Sequence, residues 1–398
     1  MRKYLVALSV GVVCIFGCGG TQSTLLQAVG IAQPDHARVG ALLATSPTHY
    51  EVLHRFRDGG FLLGTLVLDA AGNLYGTAQD GGGFGFGLVF KMDPSGNETV
   101  LHSFNHTDGQ APEAGVILDA AGNMYGTTCC GGAFNQGVVF ELDPTGNETV
   151  LHSFNGTDGA LVNGGVIRDA AGNLFGTTIQ GGSNGLGVVF KLDSSGNETV
   201  LHSFSDADGS APYAGLVGDD EGRLYGTTND GGSSGEGVIF KIDSTGSNFI
   251  VLHNFTGADG GRPWADLIPT PAGNFVGAAS VGGSSDDGVV YKINPNGDFT
   301  VLHNFGGADG VNPYGRLARD SAGNLYGTTA FGGASKSGVI FELDPSGHVT
   351  VLHNFCQECL TGDGFFPFAG LVRNSAGDLY GDTEQGGGLN GVVFKLTH

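Results

Sequence analysis

Histidine residues recur along the chain at a nearly constant interval, each within the pattern Val-Leu-His-x-Phe. The successive spacings are 48, 50, 50, 51, 50 and 50 residues, and the histidines are His54, His102, His152, His202, His253, His303 and His353. Imidazole is the commonest metal ligand in proteins, so such a series raises the question of a metal site. Because one histidine per repeat unit would lie far from the next, we interpret them as buried side chains hydrogen-bonded to backbone or threonine, without a metal.

An Asp-Gly pair follows every histidine motif. Its aspartates are Asp58, Asp108, Asp158, Asp208, Asp259, Asp309 and Asp363. Aspartate in such a pair accepts backbone N–H groups in an Asx turn while glycine supplies a positive φ, so we interpret the pairs as turns. Calcium is the alternative, but only Asp206-Ala207-Asp208-Gly209 contains part of a calcium loop. No other cofactor is expected.

Four strand-length runs rich in β-branched and aromatic residues lie in each unit. In the second copy they are residues 115–119, 123–128, 137–142 and 149–154, separated by segments rich in glycine, aspartate and asparagine. No stretch shows helical periodicity over ten residues. The sequence therefore predicts an all-β fold, a seven-bladed β-propeller with four antiparallel strands per blade. The recurring tyrosines of the second run are expected to pack between blades; they are Tyr75, Tyr125, Tyr225, Tyr326 and Tyr380.

The two ends of the repeat region indicate how the ring closes. The region begins with a histidine strand, residues 52–56, and ends with the third run of a unit, residues 391–396. If the histidine strand is the outermost of each blade, the last blade lacks an outer strand. We therefore predict that the N-terminal strand completes the last blade, which is built from three C-terminal strands and one N-terminal strand.

Positions that differ among the copies are where an asymmetric ligand could be recognised. Just before the predicted inner strand the copies carry Leu63, Glu113, Asn163, Tyr213, Trp264, Tyr314 and Phe368. Two positions further on, only Asp266 and Arg316 are charged. Aromatic rings beside a few polar groups are typical of carbohydrate or peptide sites, so we predict that all of these residues except Leu63 bind a ligand at the channel mouth. The alternative is that the rings fill the channel.

Four cysteines lie within the repeats. Cys356 and Cys359 occupy the longest connection between two blades, and we predict that they form a disulfide. Adjacent Cys129 and Cys130 could form a strained vicinal disulfide or remain free thiols.

The composition excludes some classes of partner. Acidic residues outnumber basic residues by 39 to 17, giving a formal net charge of -22. This balance argues against nucleic acid and against an anionic membrane surface as partners. It suits a soluble domain that resists association, and we expect a monomer.

The N-terminal segment has the features of an export signal. Arg2 and Lys3 precede an apolar run too short to span a bilayer, which is closed by Ile15-Phe16-Gly17-Cys18. The closing tetrad resembles the lipobox of bacterial lipoproteins. It implies that residues 1–17 are a signal peptide and that Cys18 is lipidated, so that the lipid alone holds the protein at the cell envelope. We expect a tether at 18–49 before the propeller at 50–398. The alternative is an ordinary signal peptide with an incidental cysteine.

The repeat itself resembles a known family. Leu-His-x-Phe, Asn-Leu-Tyr-Gly-Thr-Thr and Gly-Val-Val-Phe-Lys-Leu-Asp together resemble the GloVer-type tandem repeat of exported bacterial proteins, over roughly residues 50–397. The resemblance implies an extracytoplasmic repeat protein and carries no catalytic residue or ligand.

Three hypotheses of function follow from these observations. The first is a lipid-anchored, non-enzymatic binding or scaffold module for a glycan or peptide. The second is a propeller enzyme, a polysaccharide lyase or hydrolase that uses Asp266, Arg316 and Glu113. The third is a purely structural envelope protein, and the fold alone does not choose among them.

Overall fold

A computed structural model describes residues 48–56, 60–356, 362–386 and 390–398, and within these ranges the only regular elements are β-strands. The first strand is β1, His49–Arg55. The next sixteen strands are β2 Val67–Leu68, β3 Leu74–Ala78, β4 Leu88–Met92, β5 Glu98–Ser103, β6 Ile117–Leu118, β7 Met124–Thr128, β8 Val138–Leu142, β9 Glu148–Ser153, β10 Ile167–Arg168, β11 Leu174–Thr178, β12 Val188–Leu192, β13 Glu198–Ser203, β14 Val217–Gly218, β15 Arg223–Thr228, β16 Val238–Asp243 and β17 Ile250–Asn254. The remaining strands are β18 Ile268–Pro269, β19 Phe275–Ala279, β20 Val289–Ile293, β21 Phe299–Asn304, β22 Ala318–Arg319, β23 Leu325–Thr329, β24 Val339–Leu343, β25 Val349–Asn354, β26 Val372–Arg373, β27 Leu379–Thr383 and β28 Val392–Thr397.

These strands form a seven-bladed propeller, as predicted. Blades 1 to 6 are four-stranded antiparallel sheets of consecutive strands, from β2–β5 to β22–β25. Blade 7 combines β26, β27 and β28 with β1, and Val52 of β1 lies opposite Phe394 of β28. The predicted closure by the N-terminal strand is therefore confirmed, and it pairs the edge of β28 that would otherwise be open.

The inner strands are shorter than the sequence suggested. The run predicted over residues 115–119 forms only the two-residue ladder of β6. The chain just before β6 approaches the neighbouring blade so closely that a Cβ on Gly115 would collide with the carbonyl of Thr65. The inner segments therefore pack against one another around the axis instead of continuing the pairing within their own blades.

The hydrophobic core lies between neighbouring blades. Phe140 of blade 2 packs edge-on against Phe104, which follows the outer strand of blade 1, with ring centroids 5.1 Å apart. Val89 from blade 1 joins the same cluster. The recurring glycine of the second strand makes room for this ring, since a Cβ on Gly126 would lie 2.5 Å from Cζ of Phe140. The motif therefore encodes contacts between blades as well as strands.

The recurring tyrosines also pack between blades, as predicted. Tyr125 of blade 2 belongs to a cluster with Leu174 and Phe190 of blade 3. Its hydroxyl donates a hydrogen bond to Glu141 at 3.1 Å. The ring is thus buried while its polar end remains satisfied.

The tight turns have the predicted chemistry. Oδ1 of Asp69 accepts hydrogen bonds from the backbone N–H groups of Ala71 at 2.9 Å and Asn73 at 2.8 Å. Gly72 adopts a φ of 85°, a conformation that favours glycine. These turns fix the register of the first two strands of the blade.

Candidate ligand site at the channel mouth

The inner segments of the seven blades enclose a cavity of about 900 Å³. All seven residues of the variable mouth position line it, together with Asp266 and Arg316. Trp264 retains 40% of its exposed area. The aromatic rings therefore border an open cavity in the described structure instead of filling it, and the structure brings the predicted site residues together in one place.

An aromatic arc borders one side of the cavity. Tyr213 and Trp264 stack with centroids 4.0 Å apart at an interplanar angle of 22°. Tyr314 meets Trp264 edge-on at 5.6 Å and meets Phe368 at 5.1 Å. Four consecutive blades thus contribute one continuous apolar surface, which we call the aromatic arc. Burial raises the pKa of both Tyr213 and Tyr314, so both hydroxyls remain protonated donors at neutral pH.

A carboxylate held by three blades borders another part of the mouth. Nε2 of Gln79 donates to Oε1 of Glu113 at 2.7 Å, and Nδ2 of Asn163 donates to Oε2. Burial raises the pKa of Glu113, although the hydrogen bonds from Gln79 and the Cys129 thiol act against this shift. The carboxyl group is therefore fixed in orientation at the cavity wall.

The two charged residues of the inner strands differ in how they are held. Oδ1 of Asp266 accepts a hydrogen bond from the backbone N–H of Gly215 in the neighbouring blade at 2.7 Å. The Arg316 side chain is exposed, and its guanidinium makes no hydrogen bond or ion pair with the described residues. Asp266 therefore stabilises the seam between blades, while Arg316 is available to a ligand.

The adjacent cysteines lie beside this site. The structure has Cys129 and Cys130 as free thiols, with sulfur atoms 2.6 Å apart. The hydrogen bond with Cys130, burial and the Glu113 carboxylate together raise the pKa of Cys129. Cys356 is disulfide-bonded, while Cys359, its predicted partner, lies outside the described residues, as does Cys18. The predicted pairing and lipidation stay predictions.

The recurring histidines have partners that we did not expect. Nε2 of His102 lies 3.2 Å from Oδ2 of Asp108, and equivalent pairs of His and the Asp of Asp-Gly occur in the other blades where the aspartate is described. The prediction of bonds to backbone or threonine was therefore wrong, and the side chains are half-buried rather than fully buried, since 16% of His102 is exposed. The Asp-Gly turn brings the aspartate back to the strand that it follows, which is why the two residues meet.

The Asp-Gly pairs also act as turns. Oδ1 of Asp108 accepts the backbone N–H of Asn105 at 2.9 Å, so the predicted backbone partner is confirmed, but the donor lies three residues before the aspartate and not two residues after it as in an Asx turn. In the candidate calcium fragment, Nε2 of His202 lies 3.2 Å from Oδ2 of Asp208, as in the other blades.

Two groups of functional interest were missed in the sequence. The opposite part of the cavity is lined by charged residues such as Arg168 and Asp219. At the outer strands of the blades, away from the channel, Glu148 lies beside His102 and Asp108 and completes a cluster of three possible metal ligands. Variation among the copies at the position of Glu148 could have revealed it, but it falls within an outer strand that we interpreted as scaffold.

The sequence matches the model of the Gloeobacter/Verrucomicrobia repeat over residues 63–270 and 219–398. The chain belongs to this family. The resemblance inferred from the repeated motifs is thus confirmed. A search of curated proteins found no match.

Solved structures of similar shape support the fold. An oligogalacturonate lyase from Vibrio parahaemolyticus matches with a TM-score of 0.57 at 11% identity, covering 88% of this chain and 97% of that chain. The extracellular domain of a one-component system from B. thetaiotaomicron matches with a TM-score of 0.56 at 10% identity, covering 86% of this chain and 40% of that chain. An oligogalacturonate lyase in complex with manganese matches with a TM-score of 0.54 at 11% identity, covering 88% of this chain and 96% of that chain. Identities this low establish the architecture alone.

The described ranges contain no helix long and apolar enough to cross a membrane.

Proposed function

We propose that this protein is an exported, lipid-anchored binding module that holds a saccharide at the channel mouth without chemical turnover. The observation that carries the proposal is the aromatic arc, with Trp264 40% exposed at the wall of an open cavity. Flat rings pack against the apolar faces of sugar rings, while a few fixed polar groups orient their hydroxyls. Lipidation of Cys18 would hold the module at the cell envelope, outside the cytoplasm.

The polar groups favour an acidic sugar over a neutral peptide. The Arg316 guanidinium has five N–H donors and no partner among the described residues, so it can bind a carboxylate with two parallel hydrogen bonds. Glu113 lies at the same cavity and can accept hydrogen bonds from hydroxyl groups. A uronic acid offers both kinds of group. The shared architecture with an oligogalacturonate lyase makes oligogalacturonides a reasonable first class to test.

The test is a glycan panel that includes acidic oligosaccharides, followed by calorimetry with the full chain. We expect Trp264→Ala to lower the affinity of a bound saccharide by about tenfold or more, the usual effect of removing an aromatic side chain that the ligand covers. Phe134→Ala is the matched control, because Phe134 is an exposed ring, 59% accessible, that does not line the cavity. Equal affinities for wild type, Trp264→Ala and Tyr314→Ala would remove the site, and binding of peptides alone would change the ligand class.

Catalysis on a polysaccharide is the second candidate. It is favoured by the raised pKa of Glu113, which is what a general acid requires, at a cavity that also contains Asp266 and Arg316. Product formation from a polysaccharide, lost in Glu113→Gln or Asp266→Asn, would establish the enzyme. If the chain neither binds nor cleaves any saccharide of the panel, the purely structural role remains.

A further inference from the structure

One position of the outer strands differs sharply among the blades. It lies four residues before each histidine, and its occupants are Tyr50, Glu98, Glu148, Glu198, Phe249, Phe299 and Val349. At three seams the residue is an aromatic ring that stacks on the histidine of the preceding blade: Phe249 on His202 at 3.7 Å, Phe299 on His253 at 3.9 Å and Tyr50 on His353 at 3.9 Å. We call these the aromatic seams, and the seams with Glu148 and Glu198 the acidic seams.

At the first acidic seam the glutamate brings a second carboxylate to a His–Asp pair. His102 and Asp108 are 3.2 Å apart, and one ligand atom from each of His102, Asp108 and Glu148 lies within 4.8 Å of the others. Oε1 of Glu148 is buried and has no hydrogen-bond partner among the described residues. A buried carboxylate oxygen without a partner is costly, so something beyond the described side chains is needed to satisfy it.

The same cluster combines one imidazole with two carboxylates. One imidazole thus faces two carboxyl groups that repel each other when both are ionised. A divalent cation would neutralise both carboxylates and give the orphaned oxygen a partner.

We propose that His102, Asp108 and Glu148 bind a divalent transition-metal cation of the Zn²⁺ or Mn²⁺ type at the seam between blades 1 and 2. One imidazole nitrogen and two carboxylate oxygens suit these ions, whereas calcium prefers oxygen ligands alone. Zn²⁺ bonds of about 2.0–2.2 Å place tetrahedral ligand atoms roughly 3.3–3.6 Å apart. His102 and Asp108 are already 3.2 Å apart, and the Glu148 carboxylate lies within 4.8 Å of both. The fourth position is left for water.

The aspartate ligand is already held in position. Asn105 donates to Asp108 from its backbone N–H at 2.9 Å and from its side-chain amide at 2.8 Å. Such outer partners orient a ligand and are a regular feature of metal sites. The carboxylate would therefore need little rearrangement to bind a cation.

The next seam has the same three residue types. His152 lies 3.2 Å from Asp158, and Oε1 of Glu198 is likewise buried without a partner among the described residues. The ligand atoms of these three side chains do not all come within 4.8 Å of one another, as those of His102, Asp108 and Glu148 do. We therefore expect the site between blades 1 and 2, and none at the aromatic seams.

The experiment is a calorimetric titration of the untagged full chain with Zn²⁺ after removal of metal by EDTA, with Ca²⁺ as the comparison ion. We expect saturable Zn²⁺ binding that Ca²⁺ does not reproduce. Glu148→Val, which copies Val349, should raise the Kd of one site by about 100-fold or more, since losing even an outer partner of a metal ligand costs 10–100-fold. Saturating Zn²⁺ should also raise the Tm of the wild type and do so less in the variant.

Two further variants separate ligation from folding. Glu148→Gln keeps the shape of the side chain and removes its charge, so it should lose the same site while unfolding normally without metal. Val349→Glu places a carboxylate beside His303 and Asp309, which are 2.8 Å apart, and should add a Zn²⁺ equivalent. Unchanged Zn²⁺ stoichiometry and Kd in both Glu148→Val and Glu148→Gln, or no saturable binding by the full chain, would overturn the proposal.

Discussion

The acidic and aromatic seams solve the same packing problem with opposite chemistry. Each aligns the outer strands of two blades around a half-buried His–Asp pair, yet Glu148 leaves a carboxylate oxygen unsatisfied where Phe249 stacks in parallel on His202 at 3.7 Å. Glu148 and Phe299 are each the first residue of their outer strand, so the identity of one side chain decides whether a seam is closed by apolar contact or left able to bind a cation. The aromatic seams stabilise the ring of blades. The acidic seams contribute less to its stability, and a bound cation would increase their contribution.

The largest expected effect comes from removing an aromatic contact. Phe249 contacts His202, Phe204 and Phe240, so Phe249→Ala should lower the free energy of unfolding by about 2–3 kcal/mol, somewhat less than for a fully buried phenylalanine. Glu148→Ala should change it by less than about 1 kcal/mol in metal-free buffer, because the repulsion from Asp108 is lost along with the side chain. Urea unfolding of the two variants measures both values. Equal decreases in the free energy of unfolding of the two variants would show that the two kinds of seam contribute equally to stability.

The closing seam between blades 7 and 1 extends the comparison to the inner part of the blades. Thr77 donates to the carbonyl of Ala114 in the next blade at 2.9 Å, whereas blade 7 carries Asp382 at this position, 1% exposed and with neither oxygen bonded among the described residues. Asp382→Thr should therefore stabilise the fold by about 1–3 kcal/mol at pH 7, since it removes a buried unsatisfied group and can donate to Gly64. Thermal unfolding is the measurement, with Thr77→Asp as the reciprocal control, and an unchanged Tm for Asp382→Thr would contradict the prediction.

The same residue gives the fold a pH dependence of defined sign. Burial raises the pKa of Asp382 well above its ordinary value near 3.8. The folded chain then holds a proton that the unfolded chain releases, so the contribution of Asp382 is fully present below about pH 4 and is lost as the pH rises toward the folded pKa. Urea titrations between pH 4 and pH 8 should show this slope in the wild type and lose it in Asp382→Thr.

The smallest expected effect is the pH dependence of an aromatic seam. Burial lowers the pKa of His202 from its ordinary value near 6.5, more than the neighbouring Asp208 raises it. The unfolded chain then binds a proton before the folded chain does, so this contribution is complete above pH 6.5 and falls below it, by at most about 1.4 kcal/mol per pH unit. His202→Gln should flatten the stability profile between pH 5 and pH 6.5. An identical profile in the variant would show that Asp208 offsets the effect of burial and leaves the pKa of His202 the same in the folded and the unfolded chain.

The residues at the mouth of the channel could be predicted from the sequence better than the side-chain contacts of the outer strands. Aligning the copies identified the residues that meet around the cavity, because equivalent positions of a cyclic repeat converge on one axis. The histidine partners were predicted wrongly, because threonine and backbone were considered and the aspartate six residues on was treated only as a turn. Glu148 and Asp382 also differ from their counterparts, yet neither was singled out, since both lie within strands whose repetition suggested scaffold alone.

The sequence by itself determined the number of repeats, the all-β class, the turns and the closure by the N-terminal strand, because these depend on local chemistry and on counting. The tertiary structure decided which side chains of different blades meet. The stack of Tyr213 on Trp264, the two amide donors to Glu113 and the approach of Glu148 to Asp108 each join separate blades. The angle and distance between blades are set by packing of the whole ring, and no local pattern specifies them.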